Sequence, residues 1–193
     1  MSATSPEHDP TRSALAAKGG DQAAAAEFIR ATSRDVHRFL AHLADARDVE
    51  DLAQETYLRA MRGLARFDAR SSAKTWLLAI ARRVAADHVR TQQRRPRLTT
   101  IQDWEDTAER NQNQVVPLLD ESVALRQLLV NLEPQRREAF VATQILGLSY
   151  QEAAEVCHCP VGTIRSRVSR AREDLIVALR ADEDPHHTQR AAT

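Results

Sequence analysis

Three sets of residues carry side chains capable of chemistry. Cys157, His158 and Cys159 stand side by side and offer donors of the kind that bind zinc or exchange thiols. Tetrahedral zinc needs a fourth ligand and usually wider spacing. No third cysteine exists, and the nearest other histidines, His186 and His187, fall in a polar C-terminal tail. The trio therefore reads as a tight turn, with no metal expected. Asp45, Asp48, Glu50 and Asp51 are dense enough to suggest Mg²⁺, yet a helix cap and a partner-facing helix account for them without an ion. No phosphate-cradling glycine loop, nucleophile motif or catalytic carboxylate pair stands out, so neither a cofactor nor an enzymatic reaction is expected. The third set differs: arginines, hydroxyls and a tryptophan at helical spacing, suited to phosphates, base edges and base faces.

The clearest member of that set lies in Ser149 to Leu179, SYQEAAEVCHCPVGTIRSRVSRAREDLIVAL. Ser149 followed three residues later by Glu152 is a capping-box signature, which starts a helix at Tyr150. Cys157-His158-Cys159-Pro160 ends it, and Pro160 suits the first turn of a second, longer helix. Wound at about 100° per residue, that helix sets Ile164, Val168, Ala171, Leu175 and Leu179 on one side as a buried stripe. Arg165, Ser166, Ser169 and Arg170 fall on the other. A short helix, a turn and a long helix with basic and hydroxyl residues near its start form a helix-turn-helix, whose second helix enters a DNA groove. A solvated charged face is the plainer alternative; the short preceding helix and turn favour DNA.

A second set sits earlier. A helix from Val49 to about Leu64 has Val49, Leu52, Ala53, Thr56, Tyr57, Ala60 and Leu64 inside, with Asp48 as its N-cap. Asp51, Gln54, Glu55, Leu58 and Arg62 lie outside. An apolar Leu58 ringed by polar groups suits a protein partner, although single exposed leucines are also ordinary. Ala65–Ala73 reads as a loop. A helix from Thr75 to about Arg94 follows, with Leu77, Ala81, Val84, Ala85 and His88 inside and Trp76, Arg83, Arg90 and Arg94 along one outer face. A tryptophan heading an arginine row fits single-stranded nucleic acid, where a ring stacks on a base and cations track phosphates. The alternative is a partly buried Trp76 packed on the preceding loop.

These elements must be positioned by a chain of 193 residues, enough for one ordinary domain or two small ones. Alanine, leucine, arginine and glutamate dominate, with 4% aromatics and 5 glycines, which favours an all-α fold. Formal charge is zero, so only its distribution informs. Arg59 to Arg97 holds eleven basic residues (Arg59, Arg62, Arg66, Arg70, Lys74, Arg82, Arg83, Arg90, Arg94, Arg95, Arg97) against Asp68 and Asp87. Asp103, Glu105, Asp106 and Glu109 then cluster without a base.

The expected organisation is a disordered lead over residues 1–20, a helical domain over 21–97, a linker over 98–120, a second helical domain over 121–181 and a frayed tail over 182–193. In the first domain Phe28, Ile29, Val36, Phe39, Leu40 and Leu43 recur at helical spacing, with a break suggested near Thr32-Ser33. In the second, Val123, Leu125, Leu128, Leu129 and Leu132 give one helix; Pro134 opens another, and Gly147 ends it. No signal peptide or membrane-length apolar run is evident, which implies a cytoplasmic protein with no membrane partner.

This arrangement resembles a bacterial RNA polymerase sigma factor of the two-domain, extracytoplasmic-function group of the sigma-70 family. Four stretches carry the resemblance: Asp51-Leu52-Ala53-Gln54-Glu55-Thr56-Tyr57, Thr75-Trp76-Leu77-Leu78-Ala79-Ile80-Ala81-Arg82, Leu148-Ser149-Tyr150-Gln151-Glu152-Ala153-Ala154, and Gly162-Thr163-Ile164-Arg165-Ser166-Arg167-Val168-Ser169-Arg170-Ala171-Arg172. Together they cover roughly residues 21–181. The resemblance implies a sigma region 2 bundle and a sigma region 4 helix-turn-helix joined by a flexible linker, with core RNA polymerase and promoter DNA as partners. It gives Asp51, Gln54, Glu55 and Leu58 to the polymerase clamp. It puts Arg70, Ser71, Ser72, Lys74, Trp76, Arg83 and Arg90 near the melted minus-ten strand, and Gly162, Thr163, Arg165, Ser166, Ser169 and Arg170 at the minus-thirty-five element. Many relatives carry Asn at the place of Arg83 and a bulkier residue at that of Ser169. The linker would thread toward the RNA exit path, an anti-sigma protein is a possible further partner, and no small-molecule substrate is implied. A polymerase-independent helix-turn-helix regulator is the alternative, and a helical nuclease built on the acidic cluster a distant third.

Overall fold

Good helix formers fill most of the chain, and every regular element is helical in the computed structural model, which describes residues 9–94 and 123–183. Helix α1 (Pro10–Lys18) corrects the expectation of a disordered lead. Its signals are local: the Asp9 side chain caps Thr11 N, Pro10 takes the first turn, and Gly19 and Gly20 close it, Gly20 at φ +96°. Residues 1–8 lie outside the described residues.

Helix α2 (Gln22–Ala41) runs unbroken through Thr32 and Ser33, contrary to the expected interruption. The Thr32 hydroxyl donates back to the Phe28 carbonyl at 2.7 Å and meets Tyr57 Oη at 2.9 Å, so its polar group is satisfied inside the bundle. Helix α3 (Val49–Gly63) buries Val49, Leu52, Ala53, Thr56 and Ala60. Asp48 does not cap it: that residue has helical backbone angles, lies in a 3₁₀ turn and pairs with His88 Nε2 at 3.1 Å. His88, expected inside, is consequently only half-buried. Helix α4 (Ala73–Arg94) is the longest of the first four and buries Leu77, Leu78, Ala81, Val84 and Ala85.

The last four helices follow residue 122. Helix α5 (Val123–Val130) and helix α6 (Pro134–Phe140) are joined by a short turn, and a π-helical turn (Val141–Ile145) continues α6. In that turn Leu146 N reaches back five residues to the Val141 carbonyl, and Gly147 leaves at φ +70°, a conformation that favours glycine. Helix α7 (Tyr150–Cys157) begins with the expected capping box: Ser149 N donates to Glu152 Oε2 at 2.9 Å and Glu152 N to Ser149 Oγ at 3.2 Å. Helix α8 (Val161–Glu183) buries Ile164, Val168, Ala171 and Leu175, but Leu179, in its last turns, is 49% exposed. The expected tail thus begins as helix through Glu183. Its remainder and the expected linker over 98–120, with Asp103 to Glu109, lie outside the described residues.

Buried side chains of both helix groups form one continuous cluster, because α4 packs against α7. Leu129, Leu132, Ala171 and Leu175 make a smaller one beside it. Polar ties reinforce the junction. Arg82 Nε donates to Glu138 Oε2 at 2.7 Å, Lys74 Nζ to the Leu146 carbonyl at 3.1 Å, and Arg137 Nη1 to the His42 carbonyl at 3.4 Å. The basic helix α4 is therefore shared by both halves of the molecule.

Candidate nucleic-acid and polymerase interfaces

On α3 the outward residues stand as the winding placed them. Asp51 and Gln54 are exposed, Glu55 is half-buried and Leu58 is 53% exposed. Glu55 is not isolated. It accepts from Arg59 Nε at 2.7 Å; Arg59 Nη1 reaches Asp87 at 2.9 Å, and Asp87 also holds Arg90. This chain of charges laces α3 to α4. Its hydrogen bonds from Arg59, then Arg90, hold the Asp87 carboxyl below the usual range, while those to Asp87 and Glu55 raise the Arg59 guanidinium.

The loop before α4 and the start of α4 contain residues of unequal freedom. Arg70 is highly exposed and paired with Asp68 at 2.7 Å. Ser71 is half-buried. The Ser72 hydroxyl accepts from Thr75 N at 3.1 Å, which makes it the N-cap of α4. Lys74 turns toward the junction, bonded to Asp35 at 2.7 Å besides Leu146. Trp76 is half-buried against Phe67, with ring centroids 5.0 Å apart, so the packing alternative holds in part. One edge of the indole still lines a cleft of about 310 Å³ with Arg59, Gly63, Arg66, Ile80 and Arg83. Three guanidinium groups around an aromatic edge suit a planar anionic group such as a nucleotide.

Two members of that cleft, Arg59 and Arg66, were not singled out by the winding of α4. They come from α3 and the 3₁₀ turn Leu64–Arg66, and the only sequence signal for them was the basic run itself. Arg83 is engaged from the far side: its Nε and Nη2 lie 3.2 and 2.9 Å from His158 Nε2. A guanidinium only donates, so His158 accepts as the neutral imidazole. Burial, then the charges of Arg83 and Arg82, holds that imidazole below its ordinary pKa.

Helix α8 carries a different surface. Gly162, Arg165, Ser166, Ser169 and Arg170 are exposed and Thr163 is half-buried, opposite the buried Ile164, Val168 and Ala171. Arg167 is tied to Gln135 and to Cys159 Sγ, and Arg172 to Gln144 at 2.8 Å. Arg165 and Arg170 have no partner among the described residues. Ser166 donates to the Thr163 carbonyl at 2.9 Å and Ser169 to Glu173 at 3.2 Å, bonds that a DNA acceptor can replace. The turn before α8 holds His158 in the left-handed region, φ +50°. Cys157 beside it is 4% exposed, and burial pushes its thiol up to about 12, so it rests protonated.

Comparison with known proteins agrees with this geometry. Residues 28–95 match the family described as Sigma-70 region 2, and residues 122–175 match Sigma-70, region 4. The chain is 47% identical over 186 residues to the ECF RNA polymerase sigma factor SigC of Mycobacterium tuberculosis, covering 96% of this chain and 97% of that one. Among solved structures it resembles CnrH in complex with the cytosolic domain of CnrY, with TM-score 0.69, 25% identity, and 91% and 99% of the two chains covered. It also resembles the sigma factor RpoE bound to the anti-sigma factor NepR from Bartonella quintana, with TM-score 0.61, 29% identity, and coverage of 80% and 95%. An all-α pair of helix groups, the α3 face, the arginine-lined cleft and the α7–α8 helix-turn-helix thus fall within a single matched architecture. The chain belongs to the extracytoplasmic-function group of the sigma-70 family, whose members are non-enzymatic RNA polymerase sigma factors that direct promoter-specific transcription initiation.

Proposed function

We propose that three surfaces divide the work of initiation. Asp51, Gln54, Glu55 and Leu58 on α3 dock the clamp of core RNA polymerase. The loop Phe67–Ser72 with Trp76, Arg83 and Arg90 holds the melted minus-ten strand, the indole stacking on a base while the arginines track phosphates. Arg165, Ser166, Ser169 and Arg170, with Gly162 and Thr163 at the helix start, read the minus-thirty-five duplex. Lys74 and Ser72 serve this scheme at one remove, through the junction and the cap of α4. The division into a region 2 domain over 21–97, a linker over 98–120 and a region 4 domain over 121–181 belongs to the same proposal, with α1 joined to the first domain.

The observation that carries the reading is the contrast among the arginines of α8. Arg167 and Arg172 are tied to α6 or its π-helical extension, whereas Arg165 and Arg170, on the outer side of a capped helix-turn-helix, have no partner among the described residues. Two exposed guanidinium groups on the outer side of the first three turns of α8 are suited to bidentate base contacts. Run-off transcription with core enzyme on a genomic promoter library tests it: promoter-specific transcripts are expected, and their absence on every promoter overturns it. Tight, sequence-specific duplex binding by the protein alone would instead favour a polymerase-independent regulator.

Among the described residues no helix is long and apolar enough to cross a membrane, and we assign the protein to the cytoplasm, where its template is. Two solved relatives are complexes, CnrH with CnrY and RpoE with the anti-sigma factor NepR, which supports an anti-sigma protein as a further partner. Pull-down from native lysate with mass spectrometry separates polymerase from inhibitor.

A further inference from the structure

Helix α1 is tied to both ends of one loop. Lys18 Nζ donates to the Phe67 carbonyl at 2.8 Å, and Ala73 N donates to Thr11 Oγ1 at 3.1 Å. Between those two bonds lie residues 68–72, the segment that carries Arg70, Ser71 and Ser72. Thr11 and Lys18 are seven positions apart, about 10 Å along a helix and close to one face. Ala14 lies between them on that face and is fully buried. One side of a short helix therefore spans the loop from its first anchor to its last.

The loop needs an external brace. Ala69 sits at φ +56°, a left-handed conformation that a residue with a Cβ rarely adopts and that persists only where its surroundings impose it. Its own ties are local, the Asp68–Arg70 pair and a long bond from Arg70 N to Asp68 at 3.4 Å. Its ends, in contrast, are fixed: Phe67 is 3% exposed and Ala73 is fully buried. Ala73 also opens α4, so its N–H is one of the donors that a helix start leaves without an internal partner. Ser72 satisfies Thr75 N, and Thr11 satisfies Ala73 N from a different helix.

We infer that Thr11 and Lys18 are positioning residues for strand capture: α1 holds loop 68–72 in the shape in which it grips the melted promoter strand. This rests on the proposed reading of that loop as the holder of the non-template strand. The two residues touch no DNA; they act through the Phe67 carbonyl and the Ala73 amide. Their loss leaves the clamp-facing α3 surface and the α8 reading surface untouched, so it separates strand opening from polymerase docking and duplex recognition.

The test uses reconstituted holoenzyme with the full chain, on a promoter first selected by the wild-type holoenzyme from a genomic library. Promoter melting is read as permanganate reactivity of unpaired thymines, and core affinity and binding of the minus-thirty-five duplex are read alongside. Lys18→Met and Thr11→Val each lower melting about threefold to tenfold, the range for one lost hydrogen bond. Core affinity and duplex binding stay within about twofold, the size of a negligible change. Lys18→Arg and Thr11→Ser keep the donor or the acceptor and restore melting. Arg12→Gln removes an exposed charge from the same helix without touching the loop and leaves melting unchanged, which separates positioning from general attraction to DNA. Unchanged melting in Lys18→Met and Thr11→Val, with melting lost in Trp76→Ala, overturns the role of α1 alone. Loss of core affinity parallel to melting also overturns it, since that marks a merely structural helix. Unchanged melting in Trp76→Ala and Arg70→Ala as well overturns the reading of the loop, and the inference with it.

Discussion

Helices α4 and α8 both present arginines, and they spend them differently. On α8 the two arginines proposed to read DNA have no partner among the described residues, and two others are tied to α6 or the turn that extends it. On α4 Arg82 is locked to Glu138, Arg83 lies against His158, and Arg90 belongs to a charge chain with Asp87 and Arg59. A reader of intact duplex can be formed in advance, because the groove exists before the protein arrives. A surface for a melted strand meets its ligand only after base pairs open. There, arginines can rest on protein partners that the strand later replaces.

The contrast breaks most sharply at the junction. Glu138→Ala leaves Arg82 without its partner where both side chains are largely buried, and is expected to cost roughly 3 kcal/mol of stability. Denaturant unfolding followed by circular dichroism measures it; a change no larger than that of an exposed ion pair would show the junction to be incidental. Arg165→Ala or Arg170→Ala is expected to do the opposite, leaving the unfolding midpoint in place while costing about 1–3 kcal/mol of promoter discrimination. Competition between cognate and mutated minus-thirty-five duplexes on holoenzyme reads that loss.

Leu58→Asp sharpens the comparison from a third surface. It is expected to weaken association with core by roughly 1–2 kcal/mol with helix content intact, since the side chain contributes little to the interior. Unchanged core binding would remove Leu58 from the polymerase face. The smallest effect concerns pH. The His158 imidazole is held below its ordinary value in the packed arrangement, so the separated form takes up a proton more readily. The contact with Arg83 is therefore intact above the ordinary histidine range and weakens as pH falls through it. Titration of the His158 ring protons by NMR, with Arg83→Gln as reference, checks the sign: removing the arginine must raise the His158 value.

Much of this molecule is local enough to read from residue order. The capping box at Ser149, the stripe Ile164–Val168–Ala171–Leu175 and the outward set on α3 follow from spacings of three and four, and the structure keeps them. Where reading by spacing went astray, a distant partner intervened. Asp48 looks like a cap, yet His88, 40 residues on, claims its carboxylate. Thr32 looks like a break, yet Tyr57 and the Phe28 carbonyl satisfy it. Leu179 continues the apolar period, yet it is 49% exposed. Helix α1 had its start and stop signals in plain view, Asp9-Pro10 and Gly19-Gly20, but Leu15 is its only large apolar side chain; much of its anchoring comes from α2 and from the loop it braces.

The sequence by itself determined most of the helices, the Ser149 cap and the outward faces of α3 and the start of α8, because those depend on neighbours within one or two turns. Tertiary structure alone decided which arginines are tied, and to what. Arg82 meets Glu138 across 56 positions, Arg83 meets His158 across 75, and Lys18 meets Phe67 across 49. A guanidinium pairs with whatever acceptor the fold brings within about 3 Å, and no periodicity within a helix encodes that distance.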